Sequence, residues 1–203
     1  MMPRIVRRLV ARLGVILEEA DEDIAKASLP EFGNRPKNLV IETPRRIINP
    51  HLMFLGDDIR LGPGAMLNAI TIYPPGPWMP PNGVRQQFAP RITIGNRVTS
   101  ASGLLVCAMK EIVIEDDVTF DSNVLLTDGM HGYETAMVPY KFQNMTMIAP
   151  IIIKKGSWIG QNVVIMPGVI IGECSVIGAN SVVTKSVPGR CSAEGSPAKI
   201  LNK

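Results

Sequence analysis

The stretch "IGQNVVIMPGVIIGECSVIGANSV", residues 159–182, repeats with a period that neither an α-helix nor an ordinary strand has. Counted in sixes, Ile153, Ile159, Ile165, Ile171, Ile177 and Val183 form an unbroken file of branched aliphatics. In a chain that is 46% hydrophobic, six hits in one chosen register arise by chance about one time in a hundred. A second file, four residues on, is small or β-branched: Ser157, Val163, Val169, Ser175, Ser181 and Val187. Gly156, Asn162, Gly168 and Asn180 stand just before members of that second file, and Gly and Asn tolerate a positive φ. A short flat segment, an inward aliphatic and a turn, repeated, describe a coil of parallel β-structure that buries a continuous aliphatic column. Three hexapeptides make one triangular rung of about 18 residues. The expected fold class is therefore an all-β solenoid.

The register recurs upstream at Ile94, Ser100 and Val106. After two extra residues it resumes at Ile114, Phe120 and Leu126, with Val118, Val124 and Met130 four residues on. It begins at Leu55, Leu61 and Leu67, where "LGDD" and "LGPG" supply turns. Two segments break it: "YPPGPWMPPNGVRQQFAP", too rich in proline to be a rung, and "DGMHGYETAMVPYKFQNMTMIAP". These predict insertions at about 73–91 and 128–150. Long loops thrown from a regular scaffold are where binding and catalytic residues concentrate.

The N-terminus, "MMPRIVRRLVARLGVILEE", has a positive start and an apolar stretch, but Arg7, Arg8 and Arg12 interrupt it and no A-x-A cleavage site follows. Ile5, Leu9, Leu13, Ile16 and Leu17 fall near one helical face, which predicts an amphipathic helix over 3–27. The expected organisation is an N-terminal helical segment, 1–30, followed by the β domain, 31–203. The helix is expected to pack on that domain or on a sister subunit; peripheral contact with an anionic membrane surface is the alternative. No apolar run reaches the roughly 18 residues that span a bilayer. A net charge of +3, with no basic block interleaved with aromatics, argues against nucleic acid as a partner. Cys107, Cys174 and Cys191 form no CxxC pair, so reduced thiols and a cytoplasmic location are expected.

With these motifs in hand, residues 55–201 resemble the hexapeptide-repeat acyltransferases that fold as a left-handed parallel β-helix; the handedness is part of that resemblance. "SWIGQNVVIMPGVIIGECSVIGANSVVTKSVPG" and "AEGSPAKIL" look like the terminal coils and C-terminal signature of acetyl-CoA-dependent sugar and xenobiotic O-acetyltransferases. "NVLLTDGMHGY" is similar to the segment carrying the catalytic histidine in galactoside, maltose and cell-surface polysaccharide acetyltransferases. The resemblance implies acetyl-CoA as co-substrate, held in a groove between two subunits of a homotrimer. It implies that Gln161 and Ala179 meet the pantetheine arm through backbone groups, with the Gln161 amide a candidate oxyanion donor. It places Thr184, Lys185 and Lys199 at the phosphate end.

His131 is one of two histidines in the chain. It opens the second insertion just past a rung end, and a group with a pKa near 6.5 suits general-base work at neutral pH. Asp128, three residues earlier, is the expected partner that fixes its tautomer, with Glu134 as the alternative. Nothing distinguishes His51. Two histidines are too few for the zinc site of a γ-type carbonic anhydrase, so no metal is expected. Cys107 and Cys174 read as small fillers. Galactoside-type relatives place an Asn before the rung leading to the catalytic loop. Here that stretch reads "TSASGLLV", with Ser100 and Ser102, so a galactoside acceptor does not carry over. The expected reaction is O-acetylation of a sugar hydroxyl, on a cell-surface polysaccharide or its precursor. The alternatives are a streptogramin- or chloramphenicol-type O-acetyltransferase and an N-acetyltransferase of nucleotide-linked amino sugars. Trp78, Tyr133 and Tyr140 are the aromatics best placed for acceptor contacts.

Overall fold

The computed structural model describes residues 4–77 and 85–202; Trp78 lies outside them. The described strands fall into three parallel sheets of eight, six and five strands, joined within each sheet by parallel pairing save for one antiparallel strand at the C-terminal end. The chain visits the sheets in rotation as far as Val182–Val183, after which the third sheet is met only by a single bridge from Val187 to Ile171. Thr119–Phe120 belongs to the first, Leu125–Thr127 to the second and Ile151–Ile153 to the third, and Trp158–Ile159 returns to the first directly beside Thr119–Phe120.

The aliphatic file sets the packing. Ile153, Ile159, Ile165, Ile171, Ile177 and Val183 are all at most 1% exposed, and they belong to one cluster that runs from Leu39 to Ala193. Because the six positions fall on three sheets in turn, each inward residue stacks on its equivalent one circuit away, as Ile159 does on Ile177. The second file is buried as well, from Ser157 and Val163 to Val187. Its serines need partners in that setting: Ser157 Oγ donates to the Gly172 carbonyl at 2.8 Å and Ser175 Oγ to the Pro188 carbonyl at 2.7 Å.

The corners follow from backbone conformation. Gly156, Asn162, Gly168 and Asn180 have φ of 70°, 58°, 81° and 60°. The asparagines also bond along the stack. Asn123 Nδ2 donates to Asn162 Oδ1 at 3.3 Å, and Asn162 Nδ2 donates to Asn180 Oδ1 at 2.9 Å. Gly103, at φ 70°, continues this column, where a Cβ would meet Asn123 Oδ1 at 2.6 Å.

The circuit length departs from a uniform 18. It is 18 between Asn162 and Asn180, but 20 between Thr99 and Thr119 and 39 between Asn123 and Asn162, where an insertion intervenes. Both insertions leave from the turn that joins the second sheet to the third, and each folds as a two-stranded antiparallel hairpin. In one, Ile72–Tyr73 pairs with Gln86–Gln87; in the other, Met130–His131 pairs with Met145–Thr146. Met130, expected in the second inward file, is only half-buried, because the chain has already left the column to build this hairpin.

Helix α1 (Arg4–Ala27) docks through its C-terminal end. Ala25 is buried there, and the Arg45 guanidinium donates to the Ala25 carbonyl at 2.9 Å and to Ser28 Oγ at 2.7 Å, satisfying the helix terminus. Further toward the N-terminus, Val10, Leu13, Ile16 and Leu17 are each more than half exposed, so the apolar stripe does not cover the β domain. No described helix is long and apolar enough to cross a membrane.

Candidate active site

Asp128 and His131, both expected from the sequence to act chemically, lie at the second-to-third corner or on the hairpin that leaves it. Asp128 follows immediately on the strand Leu125–Thr127 and is fully buried. Its Oδ1 accepts from the Met109 N–H at 2.6 Å, and its Oδ2 accepts from the N–H groups of Lys110 and Glu111, both at 2.7 Å. One carboxylate thus ties down the tight turn of the preceding circuit. Burial pushes the Asp128 carboxyl above its usual range, against the opposing pull of those main-chain donors. Burial, helped by the nearby Asp128 charge, pushes the Cys107 thiol up.

Past Asp128 the chain turns outward. Gly129 packs where a Cβ would meet Met109 Sδ at 2.7 Å, and at Gly132 a Cβ would meet the Asn144 carbonyl at 2.6 Å. Small residues on both sides let the hairpin strands approach, and His131 is presented between them, exposed.

His131 does not meet Asp128. Its Nδ1 lies 3.1 Å from Tyr73 Oη, and the two rings meet edge to face with centroids 5.2 Å apart. The Tyr73 hydroxyl also donates to the Lys141 carbonyl at 3.0 Å. A second stitch joins the insertions: the Gln86 side chain donates to the Met145 carbonyl at 3.0 Å and accepts from the Met145 N–H at 2.6 Å. Asp128, expected beside the imidazole, instead spends both oxygens on three backbone amides. Glu134 is exposed and lines a cleft of about 520 Å³ with Gln86, Gly132, Phe142 and Asn144. Tyr133 and Tyr140 are 70% and 55% exposed.

Sequence reasoning does not single out Tyr73 or Gln86. They frame the proline-rich segment, and the one signal for them is the apolar run "AITIY" (69–73), which continues the strand Met66–Ala69 outward. Ser100 and Ser102 lie elsewhere. Ser100 sits in the first sheet with its hydroxyl buried and without a partner among the described residues, while Ser102 Oγ donates to Ser122 Oγ at 3.1 Å at the first-to-second corner.

The residues expected to hold a coenzyme divide between two corners. Thr184, Lys185 and Lys199 line one cleft of about 360 Å³ with Ser186, Pro197 and Ile200. Thr184 and Lys185 belong to the corner from which the His131 hairpin leaves, two circuits further along. Gln161 and Ala179 occupy the first-to-second corner instead, one circuit apart, where the Asn180 N–H donates to the Gln161 carbonyl at 2.8 Å. Both are exposed. Among the described residues no group of three His, Cys, Asp or Glu side chains comes together as a metal site.

The repeat segment and the fold are similar to those of known proteins. Residues 150–185 match the family described as bacterial transferase hexapeptide (six repeats). A putative acetyltransferase of Schizosaccharomyces pombe, C18B11.09c, is 42% identical over 94 residues, covering 45% of this chain and 43% of that protein. The putative lipopolysaccharide biosynthesis O-acetyl transferase WbbJ of Escherichia coli is 33% identical over 105 residues, covering 48% and 53%. The chain therefore spans about half the length of the curated relatives it matches. Among solved structures, a mutant of AntD, an N-acyltransferase from Bacillus cereus in complex with dTDP and coenzyme A, superposes with a TM-score of 0.68. That match covers 89% of this chain and 87% of AntD at 21% identity, a likeness of fold.

Proposed function

We propose that the protein is an acetyl-CoA-dependent O-acetyltransferase acting on a sugar hydroxyl, of a cell-surface polysaccharide or its precursor. The observation that carries this is the second-to-third corner. The hairpin that carries the exposed His131 imidazole also lines an open cleft through Gly132 and Met145, and a cleft with two lysines and a threonine is lined by Thr184, Lys185 and Lys199. The relatives named as acetyltransferases, WbbJ among them, support the reaction class. On this reading His131 takes the proton from the acceptor hydroxyl as that oxygen attacks the thioester carbonyl. The thiolate of coenzyme A departs, and the imidazolium returns the proton to it. Lys185 and Lys199 hold the phosphate end by charge.

The three rotating parallel sheets, the hexapeptide repeats and the AntD likeness support a left-handed β-helix over 31–203, with residues 1–30 as an appended helical segment. The two-corner division supports a homotrimer. A coenzyme that meets His131 and Lys185 at one corner and the Gln161 and Ala179 backbone at another lies in a groove between two copies, each giving one corner. Incubation with radiolabelled acetyl-CoA and a panel of oligosaccharides, nucleotide-linked amino sugars and streptogramin or chloramphenicol acceptors tests the proposal. Label transferred to a saccharide as an alkali-labile ester supports it. An alkali-stable amide on an amino sugar, or transfer to the drugs alone, replaces the acceptor.

A further inference from the structure

We propose that Tyr73, supplied by the first insertion, is the positioning residue that fixes the His131 tautomer, and that the basic nitrogen of His131 is consequently Nε2. The inference rests on the reading of His131 as a general base, but its central observation concerns the free protein.

The assignment follows from counting protons. A tyrosine hydroxyl has one, and the Lys141 carbonyl at 3.0 Å is an acceptor that can only receive it. With that proton committed, Tyr73 Oη faces His131 Nδ1 at 3.1 Å with a lone pair, so Nδ1 must carry the N–H. A neutral imidazole protonated at Nδ1 has its free lone pair at Nε2. Partial burial pushes the Tyr73 phenol up, which keeps the hydroxyl protonated at neutral pH. The edge-to-face contact between the rings, at 71° between planes, holds the imidazole against rotation about its own axis.

The backbone around this pair is built to keep it. Tyr73 pairs with Gln86, Gln86 clasps Met145 through its amide, and Met145 pairs with His131, so the four residues close a ring across both hairpins. Asp128 does not take this place: it is fully buried with its carboxylate turned to the Met109, Lys110 and Glu111 amides. The two insertions are therefore one functional unit: the second carries the imidazole, and the first decides which nitrogen is basic.

The test is a long-range nitrogen–proton NMR correlation on the uniformly 15N-labelled protein without ligands, at a pH where the spectra show both imidazoles neutral. With two histidines in the chain, a His51→Gln variant assigns both rings. The wild-type His131 ring is expected with a pyrrole-like Nδ1 and a pyridine-like Nε2. Tyr73→Phe, which keeps the ring and removes the hydroxyl, is expected to move His131 toward the Nε2–H form with His51 unmoved. Asp128→Asn is expected to leave the His131 tautomer as it was. In turnover, Tyr73→Phe is expected to lower kcat by roughly 2- to 10-fold, the worth of one neutral hydrogen bond, at unchanged KM for acetyl-CoA. An Nε2–H tautomer in the wild type overturns the proposal, as does an Nδ1–H form that survives Tyr73→Phe and changes with Asp128→Asn. The expected tautomers in a protein that transfers no acetyl group would remove the function while leaving the positioning intact.

Discussion

Replacing Asp128 by Asn removes one charge and one acceptor from a fully buried site, and the cost can be worked from three hydrogen bonds. The asparagine carbonyl can take the place of Oδ2 and receive the N–H groups of Lys110 and Glu111. Its amide nitrogen then faces the Met109 N–H, donor against donor. An orphaned buried N–H costs about 1–3 kcal/mol, and two bonds weakened from charged to neutral acceptors add about 1 kcal/mol more. The expected loss is about 2–4 kcal/mol, which for a chain of 203 residues lowers Tm by roughly 5–15 °C. Thermal unfolding at pH 8, followed by circular dichroism and compared with Asp121→Asn as a surface control, measures it. Asp121 sits at the first-to-second corner and accepts no side-chain hydrogen bond from the described residues. A Tm shift under about 2 °C, together with a collapse of turnover, would refute the structural role and return Asp128 to the imidazole.

The column itself is tested by Ile171→Asp, which puts an unpaired ion where the side chain is now 0% exposed and costs several kcal/mol, against Glu173→Ala, two residues on and exposed, which should be nearly neutral. Equal Tm shifts in the pair would put the six-residue register wrong. Light scattering at micromolar concentration should give three times the chain mass, and a monomer mass would remove the shared groove. Lys185→Ala should weaken acetyl-CoA binding by roughly 1.5- to 5-fold, the modest worth of an exposed cation, with a smaller effect on saturated turnover. An unchanged affinity would take the phosphate end away from that cleft.

The repeat is legible because one requirement is imposed on it again and again. Ile153 through Val183 must face inward every sixth residue, and Asn162 or Gly168 must adopt a positive φ just before the next inward side chain. Two files agreeing on one period leave little freedom, so even the imperfect member Ser100 takes its expected place in the stack. The insertions obey no period. Where they leave the column is readable from the break in register, but how they fold depends on pairings between segments far apart in sequence, Tyr73 with His131 and Gln86 with Met145. His131 stands out by its rarity and its glycine-bounded motif. Proximity along the chain points to Asp128 as its partner, yet a residue at the root of a hairpin points into the turn below while one further out points away. The tyrosine that meets the imidazole comes from 58 residues upstream. The division of Lys185 and Gln161 between two corners is equally hidden, since a motif shows order along the chain and not which edge of a rotating coil each residue reaches.

Whether an imidazole drives the reaction is decided by His131→Ala, assayed with the acceptor that the labelling screen identifies, with acetyl-CoA affinity measured separately by calorimetry. Removal of a general base lowers kcat by about 10²- to 10⁴-fold, while the cleft proposed for the coenzyme, lined by Thr184, Lys185 and Lys199, is untouched. A loss of that size at unchanged affinity is expected, with the acid limb of the kcat/KM profile gone. Full turnover in His131→Ala would contradict the general-base role and leave only the proximity of two bound substrates as the source of rate.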